Sequence, residues 1–121
     1  MCINCQTITA NKSVDFIEID AASHTGVDNI REEIISKVSY PPMGLKKKIY
    51  LIDEVHMLSK GAFNSLLKIM EETPEYMIFV LATTEINKVP DTILSRCQIF
   101  NFTKVMLVDM VKHLSHICDQ E

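Results

Sequence analysis

The ten residues Lys48-Ile49-Tyr50-Leu51-Ile52-Asp53-Glu54-Val55-His56-Met57 constrain this chain more than any other stretch. Ile49 to Ile52 is an unbroken apolar run, and it meets two adjacent carboxylates. A run without polar alternation suits a strand buried on both faces of a parallel sheet. Its acids then emerge at the strand's carboxyl end, the edge at which open α/β sheets hold their ligands. The plainer alternative is a strand followed by an acidic turn that caps the next helix.

A strand that delivers two acids to that edge is the arrangement of a Walker B element in a P-loop-type nucleotidase. There the first acid holds the magnesium ion that bridges the phosphates, and the second polarises the attacking water. On this reading Asp53 is the magnesium-associated acid and Glu54 the base.

The flanking sequence alternates strand and helix. A short helical turn is expected over residues 5–12. Residues 14–19 set Val14, Phe16, Ile17 and Ile19 against Asp15 and Glu18, which predicts a strand near a sheet edge. Val27, Ile30, Ile34 and Val38 form the stripe of an amphipathic helix that Pro41-Pro42 stops. Gly44-Leu45-Lys46-Lys47-Lys48 reads as a basic turn whose three lysines either are solvated or contact phosphate. Ser59 is a good N-cap for a helix with Phe63, Leu66, Leu67 and Met70 on one face; Glu71 and Glu72 close it as a solvated end.

Residues 77–82 are a second unbroken apolar run, hence another inner strand, delivering Thr83-Thr84-Glu85 to the same edge as Asp53. A short helix follows Pro90, residues 98–102 read as a strand, and Leu107, Val111, Leu114 and Cys118 mark a closing helix. Met57, Met70, Met77, Met106 and Met110 read as adaptable core filler, and Cys118 as a small buried hydrophobe. The order argues for α/β architecture with right-handed crossovers.

At 121 residues the chain makes one modest domain, and its net charge of −4 leaves no basic footprint for DNA. No apolar run approaches the length that crosses a bilayer and no signal peptide is evident, so a cytoplasmic protein is the default. Cys2 and Cys5 form a Cys-x-x-Cys pair, with Cys97 and Cys118 single and remote, which is not a disulfide framework. The pair is half of a zinc knuckle or an incidental spacing; a structural zinc needs four ligands. Thr84 is either a turn residue or a hydroxyl that senses the γ-phosphate. Arg96 is either a surface charge or an arginine finger aimed at a neighbouring subunit's phosphate.

Glu18-Ile19-Asp20-Ala21-Ala22-Ser23, Asp53-Glu54-Val55-His56-Met57-Leu58, Phe63-Asn64-Ser65-Leu66-Leu67-Lys68, Leu81-Ala82-Thr83-Thr84-Glu85 and Ser95-Arg96-Cys97 share an order and spacing. Together they resemble the bacterial clamp-loader ATPases, the gamma/tau family of DNA polymerase III, over nearly the whole chain. The resemblance implies an AAA+ P-loop NTPase-type parallel sheet flanked by helices, incomplete because the phosphate-loop strand is missing. It also implies the domain organisation: a partial zinc knuckle over 1–12, a partial ATPase core over 13–102, and the start of a helical lid over 103–121. ATP, magnesium and zinc are the implied cofactors. Asp53 would hold magnesium, Glu54 would activate water, Thr84 would stand at the sensor-1 position, and Arg96 would act in trans. Cys2 and Cys5 match the last two ligands of the family's zinc knuckle, and His56, part of the family's signature, is either a turn residue packing beneath the site or a catalytic base.

Implied partners are other clamp-loader subunits, the sliding clamp and primer–template DNA, with no membrane. A non-hydrolysing subunit similar to delta-prime, supplying Arg96 alone, is the alternative. The family's Gly-x-x-x-x-Gly-Lys-Ser/Thr grip has no counterpart here, where glycine stands only at 26, 44 and 61. In the family, the strand leading into that grip lies between those matching residues 77–82 and 98–102. Without it, the chain alone is expected to be aggregation-prone or only partly folded and to bind ATP poorly.

Overall fold

The computed structural model describes residues 2–23, 34 and 40–120. Its elements are α1 (Ile3–Thr9), β1 (Phe16–Asp20), β2 (Lys48–Asp53), α2 (Lys60–Glu71), β3 (Met77–Leu81), α3 (Asp91–Leu94) and α4 (Leu107–Cys118). Single 3-10 turns occupy Val55–Met57 and Ile86–Lys88. The three described strands form one parallel sheet in the order β1-β2-β3.

Strand side chains alternate across a sheet, and the register aligns Ile17, Tyr50 and Phe79, then Ile19, Ile52 and Leu81, on one face. The Tyr50 and Phe79 rings stack with centroids 5.6 Å apart. Phe63 and Leu66 of α2, with Val89 and Ile93, complete the core. Ser59 caps α2 as its sequence predicts, its side chain accepting the Ala62 N–H. Burying aliphatic side chains of this size contributes about 1.5–3 kcal/mol each.

Burial of the inner strands on both faces does not hold. Ile78 and Val80 are exposed and Ile49 and Leu51 half-buried, because only one face of the sheet is covered among the described residues. Residues 98–102 form no strand, a second correction, and Phe102 is 97% exposed. No described strand lies alongside to complete a hydrogen-bond ladder for them. The first helix begins two residues earlier than expected, with Cys2 as its N-cap. Of the methionines assigned to the core, Met77 is buried and Met70 half-buried, while Met57, Met106 and Met110 are exposed. Cys118 is also exposed, since α4 buries no residue. The helix expected around Val27, Ile30 and Val38 lies outside the described residues; Ile34 is buried in the core.

The alternation assigned to residues 14–19 is reversed at its start: Val14 is exposed and Asp15 is 2% exposed. The Asp15 carboxylate accepts the N–H groups of Met43 (2.9 and 3.0 Å), Gly44 (2.6 Å) and Leu45 (2.7 Å). Charge-assisted bonds of this kind compensate a buried carboxylate and clamp the loop that leads into β2. Lys48 is buried too, its Nζ donating to the Tyr40 carbonyl at 3.2 Å, so the basic turn is solvated only at Lys46 and Lys47.

Burial pushes the Asp15 carboxyl up, but the N–H groups of Leu45, Met43 and Gly44 and the Lys48 ammonium outweigh it. They hold the carboxyl below the usual carboxylate range. A depressed folded pKa means that this stabilisation is present above about pH 4 and is lost as pH falls through the folded value. Asp15→Ala is expected to speed tryptic cleavage after Lys46 and Lys47 about tenfold at neutral pH, because the loop opens by local unfolding. Unchanged cleavage would show that the clamp does not hold the loop.

Candidate functional site

The two ladders bring the carboxyl ends of the three strands level. Ala21 N–H donates to Asp53 O (3.0 Å), Ala82 N–H to Ile52 O (2.9 Å) and Val55 N–H to Ala82 O (3.0 Å). The chain then turns sharply at Glu54, a non-glycine residue in the left-handed region at φ 48° and ψ 42°. That conformation costs about 1–2 kcal/mol. Fully buried Val55 and buried Leu58 anchor the turn from below. Glu54 N–H donates to Asp53 Oδ1 at 2.9 Å, and Asp53 is exposed.

Thr84 reaches this turn from the end of β3, its hydroxyl donating to Glu54 Oε2 at 3.3 Å. His56 Nδ1 lies 3.2 Å from the same oxygen and 2.9 Å from Thr83 Oγ1, and its Nε2 lies 3.5 Å from Glu85 Oε1. Thr83 Oγ1 also accepts the Glu85 N–H at 3.0 Å. Lys88 donates to Glu85 Oε1 at 2.8 Å and holds that carboxyl below its usual range. Asp20, paired in register with Asp53, brings a third acid to the rim. It accepts the Ala22 N–H at 2.8 Å and the Ser23 hydroxyl at 2.5 Å.

Asp53, Glu54 and Thr84 therefore share one rim. Arg96 stands apart, half-exposed after α3, with Nη2 2.7 Å from Glu71 Oε1 and Nη1 donating to Thr92 O at 2.8 Å. Glu71 is thus an ion-pair partner and not simply a solvated helix end. Sequence reasoning placed Thr83 and Glu85 at this edge without giving them a role, and it did not assign Asp20 to the rim. Their signal was present, because polar residues that follow buried strands gather at one edge.

Cys2 and Cys5 form a separate cluster on α1, with sulfurs 3.4 Å apart. Two thiolates bound to one tetrahedral zinc at about 2.3 Å each span about 3.8 Å, so the pair fits two of four positions. Among the described residues no group of three or more candidate ligands gathers to hold a metal. The Asp53 carboxylate fits magnesium, which takes one or two protein carboxylates and completes its shell with phosphate and water.

The Cys5 N–H and the Cys5 thiol lower the Cys2 pKa, whereas the bond to Cys2 and its charge raise that of Cys5. Burial raises that of Cys97. Since the thiolate is the nucleophile, iodoacetamide at pH 8 is expected to modify Cys2 first and Cys97 last. Peptide mapping showing Cys97 alkylated as fast as Cys2 would contradict this order.

Residues 1–106 match the family model described as DNA polymerase III, delta subunit. The chain is 52% identical over 120 residues to the DNA polymerase III subunit tau of Bacillus subtilis, covering 99% of this chain and 21% of that protein. It is 49% identical over 122 residues to the subunit tau of Escherichia coli, covering all of this chain and 19% of that protein. The chain thus spans about a fifth of the length of these relatives. A DNA polymerase III gamma subunit-related protein from Thermotoga maritima superposes with a TM-score of 0.64 at 32% identity, over 74% of this chain and 31% of that one. The parallel sheet with flanking helices is accordingly of the AAA+ clamp-loader type.

Proposed function

From the premise that this chain belongs to the DNA polymerase III delta-subunit family, with tau and gamma subunits as relatives, we propose that it carries the catalytic rim of a clamp-loader ATPase. The subunit uses ATP binding and hydrolysis to load the sliding clamp on primed DNA, in the cytoplasm and in company with other loader subunits. The observation that carries this reading is the Thr84 hydroxyl on the Glu54 carboxylate, joining the ends of β2 and β3 beside Asp53.

Asp53 would hold magnesium at the phosphates, and the ion supplies neutralisation of their charge when bound. Glu54 takes the proton of the attacking water, as a carboxylate fixed at a strand end and open to solvent can. Thr84 links that carboxylate to the neighbouring strand, where its hydroxyl can exchange Glu54 for the γ-phosphate. Arg96, exposed just after α3 and paired with Glu71, serves the site of an adjacent subunit. Cys2 and Cys5 supply two ligands of a structural zinc. The 121 residues hold no Gly-x-x-x-x-Gly-Lys sequence, so the rim is the part of the site assigned to them.

The test places residues 2–120 in the full-length Bacillus subtilis tau subunit, in place of its matching segment, within the assembled loader. Glu54→Gln is expected to lower ATP turnover about a hundredfold or more while ATP binding persists. Arg96→Ala is expected to lower turnover at the neighbouring site. Unchanged turnover with Glu54→Gln would remove the catalytic assignment. Loss with Arg96→Ala alone would favour the delta-prime-like subunit, which lends its arginine without hydrolysing nucleotide.

A further inference from the structure

The turn after β2 holds one buried polar side chain that the mechanism above does not use. His56 is 8% exposed at its side chain and lies in the 3-10 turn directly after strained Glu54. Its ring stands between the ends of two strands. Nδ1 faces Glu54 Oε2 at 3.2 Å and Thr83 Oγ1 at 2.9 Å, and Nε2 faces Glu85 Oε1 at 3.5 Å. A histidine that only filled space beneath the turn would not need three polar partners on two segments.

The distribution of donors over the Glu54 carboxylate is informative. The Thr84 hydroxyl and the His56 ring both address Oε2. With both protein groups on that oxygen, Oε1 is the atom left to accept a proton from water. With its proton on Nδ1, the imidazole donates to Thr83 Oγ1 at 2.9 Å, and Glu54 Oε2 lies 3.2 Å from the same nitrogen. Thr83 Oγ1 in turn fixes the Glu85 backbone at 3.0 Å, so the ring also sets the backbone on either side of Thr84.

We propose that His56 is a positioning residue that orients the Glu54 carboxylate and locks it to the Thr83-Thr84 end of β3, so that base and sensor move as one unit. This rests on the reading of Glu54 as the base. Outer partners that orient a reacting group commonly change activity about ten- to a hundredfold when removed.

The test uses the same loader carrying residues 2–120. Asparagine places its amide nitrogen where Nδ1 sits, whereas glutamine places it where Nε2 sits. His56→Asn is expected to keep kcat within about threefold of the parent. His56→Gln and His56→Leu are expected to lower it about tenfold or more, with KM and binding of a fluorescent ATP analogue within about threefold. Thr83→Val, which removes the other Nδ1 partner without touching the imidazole, is expected to lower kcat in the same direction.

A His56→Leu protein that turns over ATP as fast as the parent would overturn the proposal and leave the ring as packing. So would equal kcat for the Asn and Gln variants. The two levels of the account separate cleanly. If Glu54→Gln leaves turnover intact, the base assignment has failed. If Glu54→Gln abolishes turnover while His56→Leu and Thr83→Val do not change it, only the positioning role has failed.

Discussion

Parallel pairing of β2 with a neighbour on each side is the interaction on which the rest depends. The pairings Ile19 with Ile52 and Ile52 with Leu81 fix three strand ends at one height. Because side chains alternate along a strand, a slip of one residue would turn Ile52 outward and send Asp53 into the core. The burial of Ile19, Ile52 and Tyr50 and the display of Asp53 are thus one constraint seen from two sides. The outward acids at the rim follow from the inward aliphatics below it.

Local devices refine what the ladder sets. The Asp15 clamp fixes where the chain enters β2, and the left-handed Glu54 fixes how it leaves. A non-glycine residue held in that region is strain that the surrounding structure must over-determine. Here Val55 packs fully into the core and its N–H is bonded to Ala82 O, so the turn cannot relax without losing both. The strain falls at the residue whose carboxylate accepts the Thr84 hydroxyl, where the ends of β2 and β3 meet.

Much of the α/β pattern was legible in the residues, and for a physical reason. Ile49 to Ile52 and Met77 to Ala82 are long apolar runs, and Ser59 is a strong cap, so their elements are determined locally. Asp15 was misread because periodicity assigns acids to water, and only long-range N–H groups from residues 43–45 make its burial tolerable. Residues 98–102 have strand composition yet no strand, because a strand exists only with a partner. At the site, Asp53, Glu54 and Thr84 were named from strand-end placement alone. The ring of His56 between Glu54 and Thr83 was not, since the rotamer and the meeting of two turns are tertiary facts. The Arg96–Glu71 pair was hidden for the same reason, its partners standing 25 positions apart in the chain.

The central claim is that one rim, built from the ends of β2 and β3, meets the metal-bound phosphates. Iron-directed hydroxyl-radical cleavage tests it most directly, with ferrous ion replacing magnesium in the ATP-bound loader that carries residues 2–120. The account predicts backbone cuts at residues 53–54 and at 83–84 together, both dependent on ATP and both lost with Asp53→Ala. Cuts at only one of these strand ends, or cuts that persist in Asp53→Ala, would contradict it.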